Sequence, residues 1–245
     1  MKYLDSCIAL AMKYNAVSSY LVNSLFAKVE YFFNVGDYQQ CINYATICER
    51  YARQYAGNAR KNEYLDWIDI GLRSFLWKVN ALLVLKDDET AAKLLTNKAD
   101  ECKRAGLKDY LATIYSQLAE VHLLRRDAQK GLLNYKLAFK YAAETGFDKG
   151  CKVILNNIGY NIYFLYFNND DRALFYCKKA LRYIINDKNE KQAETIESVN
   201  ILTNIANIYV RKQLYDSAFY YFHLAFQKIH TGANERSLLQ ASSEE

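Results

Sequence analysis

Six cysteines and three histidines are the residues of this 245-residue sequence best suited to bind a metal or to act as nucleophile and base. The cysteines are scattered without a C-x-x-C pair, and the histidines do not cluster with them along the chain. We therefore predict neither a metal site nor a cofactor, and we interpret the cysteines as reduced, buried apolar side chains. The residues concerned are Cys7, Cys41, Cys48, Cys102, Cys151, Cys177, His122, His223 and His230.

The sequence also lacks the short motifs that mark common active sites. It contains no G-x-S-x-G, no H-E-x-x-H and no phosphate-binding glycine loop. His122 occupies a helix-packing position without a carboxylate one helical turn away, so we interpret it as a core residue. We predict that the chain is not an enzyme; turnover that depended on His223 or His230 would overturn this prediction.

The composition favours long helices over sheets. There is no proline, and glycine occurs only nine times, whereas sheet proteins need turn residues at regular short intervals. Hydrophobic residues make up 51% of the chain and charged residues 24%, which gives ample material for a core. These observations predict an all-α fold with short polar connections.

Charge and hydropathy narrow the kind of partner. The net charge is +5, and basic and acidic residues interleave along the chain, so we predict no direct nucleic-acid binding. The longest apolar stretch, residues 158–167, is too short to cross a bilayer and contains Asn161, which predicts no membrane insertion. Asp5 interrupts the short apolar stretch near the N-terminus, and scattered cysteines favour a reducing compartment. We expect a cytoplasmic protein.

An internal repeat organises the chain. Two copies share identical spacing, with eight residues between their two halves. One copy is Leu202-x2-Ile205-Ala206-x2-Tyr209 followed by Ala218-x3-Phe222-x2-Ala225. The other is Tyr115-x2-Leu118-Ala119-x2-His122 followed by Gly131-x3-Tyr135-x2-Ala138. A third copy, Leu155-x2-Ile158-Gly159-x2-Ile162 followed by Ala173-x3-Cys177-x2-Ala180, has two extra residues before its second half. Two degenerate copies end in Cys41-x3-Ala45-x2-Cys48 and Ala92-x3-Thr96-x2-Ala99. Such repetition predicts stacked structural units.

Small residues within the copies predict how the helices pack. Each unit reads as two antiparallel helices, and the small residue in each helix marks the place where the two backbones cross closely. One helix pair cannot bury its own apolar face, so successive pairs are expected to stack. The predicted crossings pair Ala119 with Gly131, Gly159 with Ala173, and Ala206 with Ala218.

These residues resemble the tetratricopeptide repeat family over nearly the whole chain. The resemblance implies a right-handed superhelical α-solenoid of stacked antiparallel helix pairs that binds partners rather than transforming them. Two features depart from the family pattern: the usual closing proline is absent, and Gly159 and Ala206 lie 47 residues apart, against 34 in the standard repeat. Long units of this kind are similar to the repeats of bacterial regulatory and sensor proteins.

The pattern also predicts domain and helix boundaries. Residues 1–230 form a single solenoid of about five helix pairs after an N-terminal half repeat anchored by Leu4 and Cys7, and residues 231–245 form a flexible tail. The connection over residues 57–62 is expected to be polar and mobile. Helices are predicted over residues 1–14, 18–35, 38–55, 62–85, 89–105, 108–125, 128–145, 149–167, 170–186, 190–211 and 215–230.

The resemblance places a peptide groove on the concave face, which the first helix of each unit lines. Asparagine suits such a groove because its amide both donates and accepts hydrogen bonds, and tyrosine offers a flat surface with a polar end. The alternative is that the tyrosines pack between adjacent units and the asparagines face water. The candidate partner-binding residues are Asn156, Tyr160, Tyr163, Thr203, Asn207, Arg211, Ser116, Glu120 and Trp77.

Glu120 would repel an acidic ligand, so we reject the two-carboxylate clamp of the chaperone-binding subfamily. Arg211 and Lys212 either attract an acidic group or form a solvated helix end. We therefore predict a scaffold or sensor module that binds a protein or peptide. The alternative is the sensory half of a larger signalling protein, with its kinase or DNA-binding half elsewhere. The end helices expose faces that leave homodimerisation open, alongside capping by further sequence.

Overall fold

A computed structural model describes residues 2–14, 18–58, 64–185 and 194–231, and all regular structure within these ranges is helical. The helices are α1 (Lys2–Lys13), α2 (Ser19–Asn34), α3 (Tyr38–Asn58), α4 (Tyr64–Val84), α5 (Asp88–Arg104), α6 (Lys108–Leu124), α7 (Ala128–Glu144), α8 (Asp148–Asn157), which continues as a π-helix over Ile158–Tyr166, α9 (Asp170–Ile185), α10 (Glu194–Arg211) and α11 (Tyr215–Thr231). Each predicted helix is present, with its described ends within a few residues of the predicted ones. The predicted tail and most of the predicted mobile connection lie outside the described residues.

The helices pack in consecutive pairs within two compact units. The first unit covers residues 1–96 and the second covers residues 97–245, so the boundary falls inside α5. In the first unit α1 packs on α2, α2 on α3 and α3 on α4. In the second unit the pairs are α6 with α7, α8 and the π-helix with α9, and α10 with α11. The predicted all-α, solenoid-like fold is confirmed; the single solenoid and its handedness stay predictions.

Turns with one left-handed residue separate the helices. This residue is a glycine at Gly36, Gly106 and Gly146, but other residue types adopt the same conformation with φ of 65° at Lys86, 59° at Arg126, 49° at Asn168 and 61° at Gln213. Four of the following helices begin at a side-chain cap: Asp37, Asp87, Asp127 and Asn169 each accept a hydrogen bond from the backbone N–H three residues later. By contrast, α6 and α8 begin without a side-chain cap. The four caps start their helices without any proline.

Gly131 and Gly159 lie at close helix crossings, as predicted. A Cβ atom on Gly159 would lie 2.6 Å from Cys177 Sγ and 2.9 Å from the Ala173 carbonyl oxygen. A Cβ atom on Gly131 would lie 2.9 Å from Leu123 Cδ2 and 3.4 Å from the Ala119 carbonyl oxygen. Both approaches leave no room for a larger side chain, so the backbones meet where the repeat pattern places them.

The π-helix accounts for the two extra residues of the third copy. Gly159 and Ala173 are two residues further apart in sequence than Ala119 and Gly131, yet both pairs meet at a crossing. Each turn closed by an i→i+5 hydrogen bond holds roughly one residue more than an α-helical turn, so two such turns absorb about two residues. The last of these bonds runs from the Phe167 N–H to the Ile162 carbonyl oxygen at 3.0 Å.

Five cysteines with described side chains are buried, in agreement with their interpretation as apolar core residues. Burial raises the pKa of the Cys41 and Cys48 thiols to about 11 and that of the Cys177 thiol to about 12. On α1, Ile8 is buried against the first unit's core, whereas the side chains of the predicted anchors Leu4 and Cys7 lie outside the described part of the chain.

Candidate partner-binding surfaces

Side-chain hydrogen bonds join the first helices of adjacent pairs at the spacing of the repeat. Asn204 Nδ2 donates to Asn156 Oδ1 at 3.1 Å, across 48 residues. Asn207 Nδ2 donates to the Tyr160 hydroxyl at 3.4 Å, across 47 residues. The sequence distance of 47 residues between Gly159 and Ala206 is therefore realised as direct contact between α10 and the α8–π segment.

Arg211, a predicted binding residue, completes this interface. Its Nη1 donates to the Phe164 carbonyl oxygen at 2.8 Å and to Asn168 Oδ1 at 3.2 Å, and its Nε donates to Asp170 Oδ1 at 2.7 Å. The guanidinium carbon lies 3.6 Å from the centroid of the Phe164 ring. With these contacts Arg211 stabilises the C-terminal end of the π-helix.

The π-helix makes a similar contact with the pair before it. The Tyr166 hydroxyl donates to the Leu123 carbonyl oxygen at 2.6 Å, across 43 residues. Leu123 lies in the last turn of α6, where carbonyl groups find their partners outside the helix, and its carbonyl oxygen also accepts a hydrogen bond from the Arg126 N–H at 2.9 Å. The last turns of α6 and of the π-helix are thus each capped by a side chain from the first helix of the next pair.

Asn156 and Tyr163 point into the interior of the second unit. Asn156 is 9% exposed, and its Oδ1 also lies 3.7 Å from Cys177 Sγ. Tyr163 is 5% exposed and stacks on Tyr176 of α9 with ring centroids 5.3 Å apart. Both side chains therefore pack rather than face an open groove, and Asn156 does not face water as the alternative interpretation expected.

The remaining predicted residues divide between the two units. Ser116 and Glu120 on α6, Thr203 and Asn207 on α10 and Tyr160 on the π-helix are half-buried. Trp77 belongs to the first unit, where it packs against that unit's core with its ring centroid 4.6 Å from that of Phe33. The second unit thus places five half-buried candidates on its first helices.

Around Glu120 the structure reveals a polar cluster that sequence analysis missed. Burial raises the pKa of the Glu120 carboxyl group. Burial first, and the nearby Glu120 charge second, raise the pKa of Tyr135, whose hydroxyl lies beside the side-chain amides of Asn157 and Asn161. Tyr135 is 0% exposed, and Gln117 Oε1 makes no hydrogen bond within the described residues. We call Gln117, Glu120, Tyr135, Asn157 and Asn161 the Glu120 cluster.

A second polar feature is a cleft on the face of α9. Its volume is about 530 Å³, and its walls come from α9, the end of α10 and the turn into α11. Four cationic side chains and a single carboxylate, Asp171, line it; the cations are Lys178, Lys179, Arg182 and Lys212. We call it the basic cleft. Interleaved charges along the sequence gave no sign of it, because Lys212 joins the α9 residues only through the fold.

α11 exposes an apolar stripe. Its members recur every three or four residues, which places them on one face of the helix. They are Tyr215, Phe219, Phe222, Phe226 and Ile229. The stripe is an exposed face of the kind expected of an end helix, and homodimerisation through it stays a prediction.

In the described part of the chain, no group of three or more histidine, cysteine, aspartate or glutamate side chains is arranged to hold a metal ion. Of the helices described, none combines the length and the apolar character needed to cross a membrane.

Comparison with known proteins identifies a structural relative but no family. No protein-family model matches the sequence, and no curated protein matches it. Among solved structures, BtubC (BKLC) from P. vanneervenii aligns with a TM-score of 0.70, covering 92% of this chain and 86% of its own, at 17% sequence identity. At this identity the likeness shows a shared helical fold alone.

Proposed function

We propose that this chain is a non-catalytic helical-repeat protein of the tetratricopeptide type, and that it binds a segment of a partner protein. The binding face would be formed by the first helices of the second unit, α6, α8 with the π-helix, and α10. The observation that carries the proposal is the Glu120 cluster, where a half-buried carboxyl group of raised pKa lies on one helix with Gln117, whose Oε1 makes no hydrogen bond within the described residues, and beside the half-buried amides of Asn157 and Asn161.

Buried polar groups of this kind are costly to the free protein. A polar group removed from water without a hydrogen bond costs roughly 1–3 kcal/mol, and an uncompensated charge costs more. An apolar core at this position would be more stable, so the cluster is better explained by a ligand that supplies the missing donors and acceptors. Perturbed carboxyl groups beside unsatisfied polar atoms are typical of binding sites.

A protein segment suits these groups. The amides of Asn157 and Asn161 can both donate to and accept from a peptide backbone, whatever the side chains of the peptide. Glu120 favours a segment that brings a hydrogen-bond donor or a cation. In this proposal Tyr160, Asn207, Thr203 and Ser116 would line the surface around the cluster. The buried Asn156 and Tyr163 would support it from within, and the exposed Arg211 would hold the end of the π-helix.

The test uses peptides selected from a random display library on the wild-type chain. We expect the selected peptides to lose affinity at least about tenfold on Asn161→Ala, because one lost charge-assisted or bidentate hydrogen bond is worth roughly that factor. The matched control is Lys136→Ala on the exposed face of α7, which should leave affinity unchanged. Peptides that bind wild type and Asn161→Ala equally would show that the Glu120 cluster is not the binding site.

We also infer a cytoplasmic location. The support is that the five cysteines with described side chains are buried and free, as is typical of proteins in a reducing compartment. Mass spectrometry of the protein from its native source would test this, since disulfide-linked cysteines would contradict it.

A further inference from the structure

We propose that the basic cleft is a second binding site, and that its ligand is an extended acidic peptide segment with carboxylates at two alternate positions and an apolar residue at the next alternate position. The cleft shares no residue with the Glu120 cluster, which is itself acidic. This inference therefore stands independently of the proposed function, and the two can fail separately.

The charge of the cleft selects an anion. Four cations and one carboxylate share a hollow of about 530 Å³. The carboxylate, Asp171, is already ion-paired to Lys212, and this hydrogen bond raises the pKa of the lysine. Like charges brought together beside low-dielectric walls repel one another, so a bound anion relieves this repulsion.

The spacing of the cations fits an extended peptide. Lys179 and Arg182 lie one helical turn apart on α9, so their Cβ atoms are about 6 Å apart. In an extended peptide, residues i and i+2 point to the same side and are separated by roughly 6.6 Å. Two carboxylates at alternate positions can therefore each face one of these cations.

The cleft also has apolar surface, so we expect its ligand to carry an apolar side chain in addition to its charges. Leu174 and Tyr209 are buried beneath it, whereas Phe175 and Leu214 at its edge are 61% and 48% exposed. Lys178 Nζ lies 5.6 Å from the centroid of the Tyr209 ring, which keeps charge and aromatic surface together. An apolar side chain two residues beyond the second carboxylate lies on the same side of an extended peptide, so it would cover the exposed Phe175 ring while the carboxylates face the cations.

A peptide fits these features better than a nucleic acid does. Phosphate backbones are bound by cations spread along a stripe or channel. Here the cations surround one hollow, and the chain as a whole interleaves its charges to a net charge of only +5. A hollow of this size accommodates a few side chains, which matches a short linear segment.

The experiment measures fluorescence anisotropy of a labelled peptide of sequence Gly-Asp-Ser-Glu-Ser-Phe-Gly bound to the full chain. Its matched control carries Asn and Gln in place of Asp and Glu. We expect saturable binding that weakens as ionic strength rises from about 0.05 M to 0.2 M, because the contacts are partly exposed ion pairs. The control peptide should bind at least about tenfold more weakly.

Variants then locate the site. Lys179→Glu with Arg182→Glu should lower affinity at least about tenfold, and Phe175→Ala should lower it about threefold. The matched control, Lys93→Glu with Lys136→Glu, reverses two exposed lysines elsewhere and changes the net charge equally; its affinity should stay within about twofold. If the double reversal unfolds the protein by circular dichroism, Lys179→Gln with Arg182→Gln replaces it.

Four results would overturn the proposal. Two concern the peptides: no binding up to about 1 mM acidic peptide, or equal affinity for the acidic and the control peptide. The other two are an equal loss of affinity in the cleft variant and in the Lys93/Lys136 control, and displacement of the acidic peptide by a labelled single-stranded oligonucleotide at a concentration below that of the peptide. The last result would assign the cleft to nucleic acid. A cleft variant that keeps its affinity for library-selected peptides but loses the acidic peptide would separate this site from the Glu120 cluster.

Discussion

The guanidinium carbon of Arg211 lies 3.6 Å from the centroid of the Phe164 ring. The same guanidinium donates a hydrogen bond to the Phe164 carbonyl oxygen at 2.8 Å. One side chain at the end of α10 thus holds both the ring and the backbone of a residue 47 positions earlier. A lysine could reproduce the charge but not the planar geometry that allows both contacts.

Arg211→Ala should therefore destabilise the second unit by about 2 kcal/mol, since it removes a stacked cation and a charge-assisted hydrogen bond to a helix end. Arg211→Lys should recover less than half of this loss. Urea unfolding measures both, and Arg104→Ala, whose Nε bonds only to its own helix, is the control. Equal stability of Arg211→Ala and wild type would show that the contact contributes nothing.

Gly159→Ala should destabilise the protein by roughly 2 kcal/mol, because the added methyl group would be forced against Cys177 Sγ and the Ala173 carbonyl oxygen. The matched control is Gly57→Ala in α3, where nothing lies within 4 Å of the new Cβ atom. Gly57→Ala should instead stabilise by about 0.5–1 kcal/mol. Thermal unfolding should show a lower midpoint for Gly159→Ala and a higher one for Gly57→Ala than for the wild type. An unchanged midpoint for Gly159→Ala would contradict the close crossing.

The stability of the wild type should fall with rising pH because of Glu120. Its pKa is raised in the folded protein by burial, so its contribution to stability is fully present below the unfolded pKa of 4.5 and is lost as pH rises through the folded pKa. Glu120→Gln removes this dependence. Urea unfolding between about pH 4 and pH 7 should show the variant gaining on the wild type as pH increases.

The same substitution should weaken binding. If Glu120 accepts a donor from the partner, Glu120→Gln becomes the more stable protein at pH 7 and the poorer binder of library-selected peptides, a trade-off common at functional sites. If Glu120→Gln gains stability and keeps full affinity for the selected peptides, Glu120 does not take part in binding.

Buried thiols should make the protein sensitive to alkali. The Cys177 pKa of about 12 and the Cys41 and Cys48 values of about 11 exceed the ordinary value of 9.0. Their contribution to stability is present below pH 9 and is lost as pH rises toward these values, at up to roughly 1.4 kcal/mol per pH unit for each thiol. Unfolding measured from pH 8 to pH 10.5 checks this, and Cys177→Ala should show a shallower slope.

Much of this fold follows from local pattern. The repeated spacing of Ala119, Gly131 and Gly159 identifies helix crossings because only small residues allow backbones to approach so closely. The two extra residues of the third copy were also visible in the sequence, although spacing alone does not say whether a loop or a widened helix absorbs them. The structure shows the π-helix.

The candidate site was harder to predict. Asn156 points away from the packing anchors of its own helix pair, which made it a groove candidate, but Asn204 from the next pair covers it. Whether a residue is covered by a neighbouring pair depends on the angle between pairs, which no local spacing encodes. The basic cleft could not be predicted for the same reason. Lys212 and Arg182 belong to different helix pairs, and only the fold brings them together.

Side chains of one helix pair cap helices of the pair before it, and this sets the order in which these contacts form during protein synthesis. The carbonyl oxygen of Leu123 accepts a hydrogen bond from Tyr166, 43 residues later, in addition to the one from the Arg126 N–H, and that of Phe164 accepts one from Arg211, 47 residues later. A nascent chain emerging from the ribosome therefore gains these contacts at the ends of α6 and of the π-helix only after the following first helix has been translated. A chain that stops early keeps a frayed last pair, which gives cellular proteases a means to tell truncated copies from finished ones.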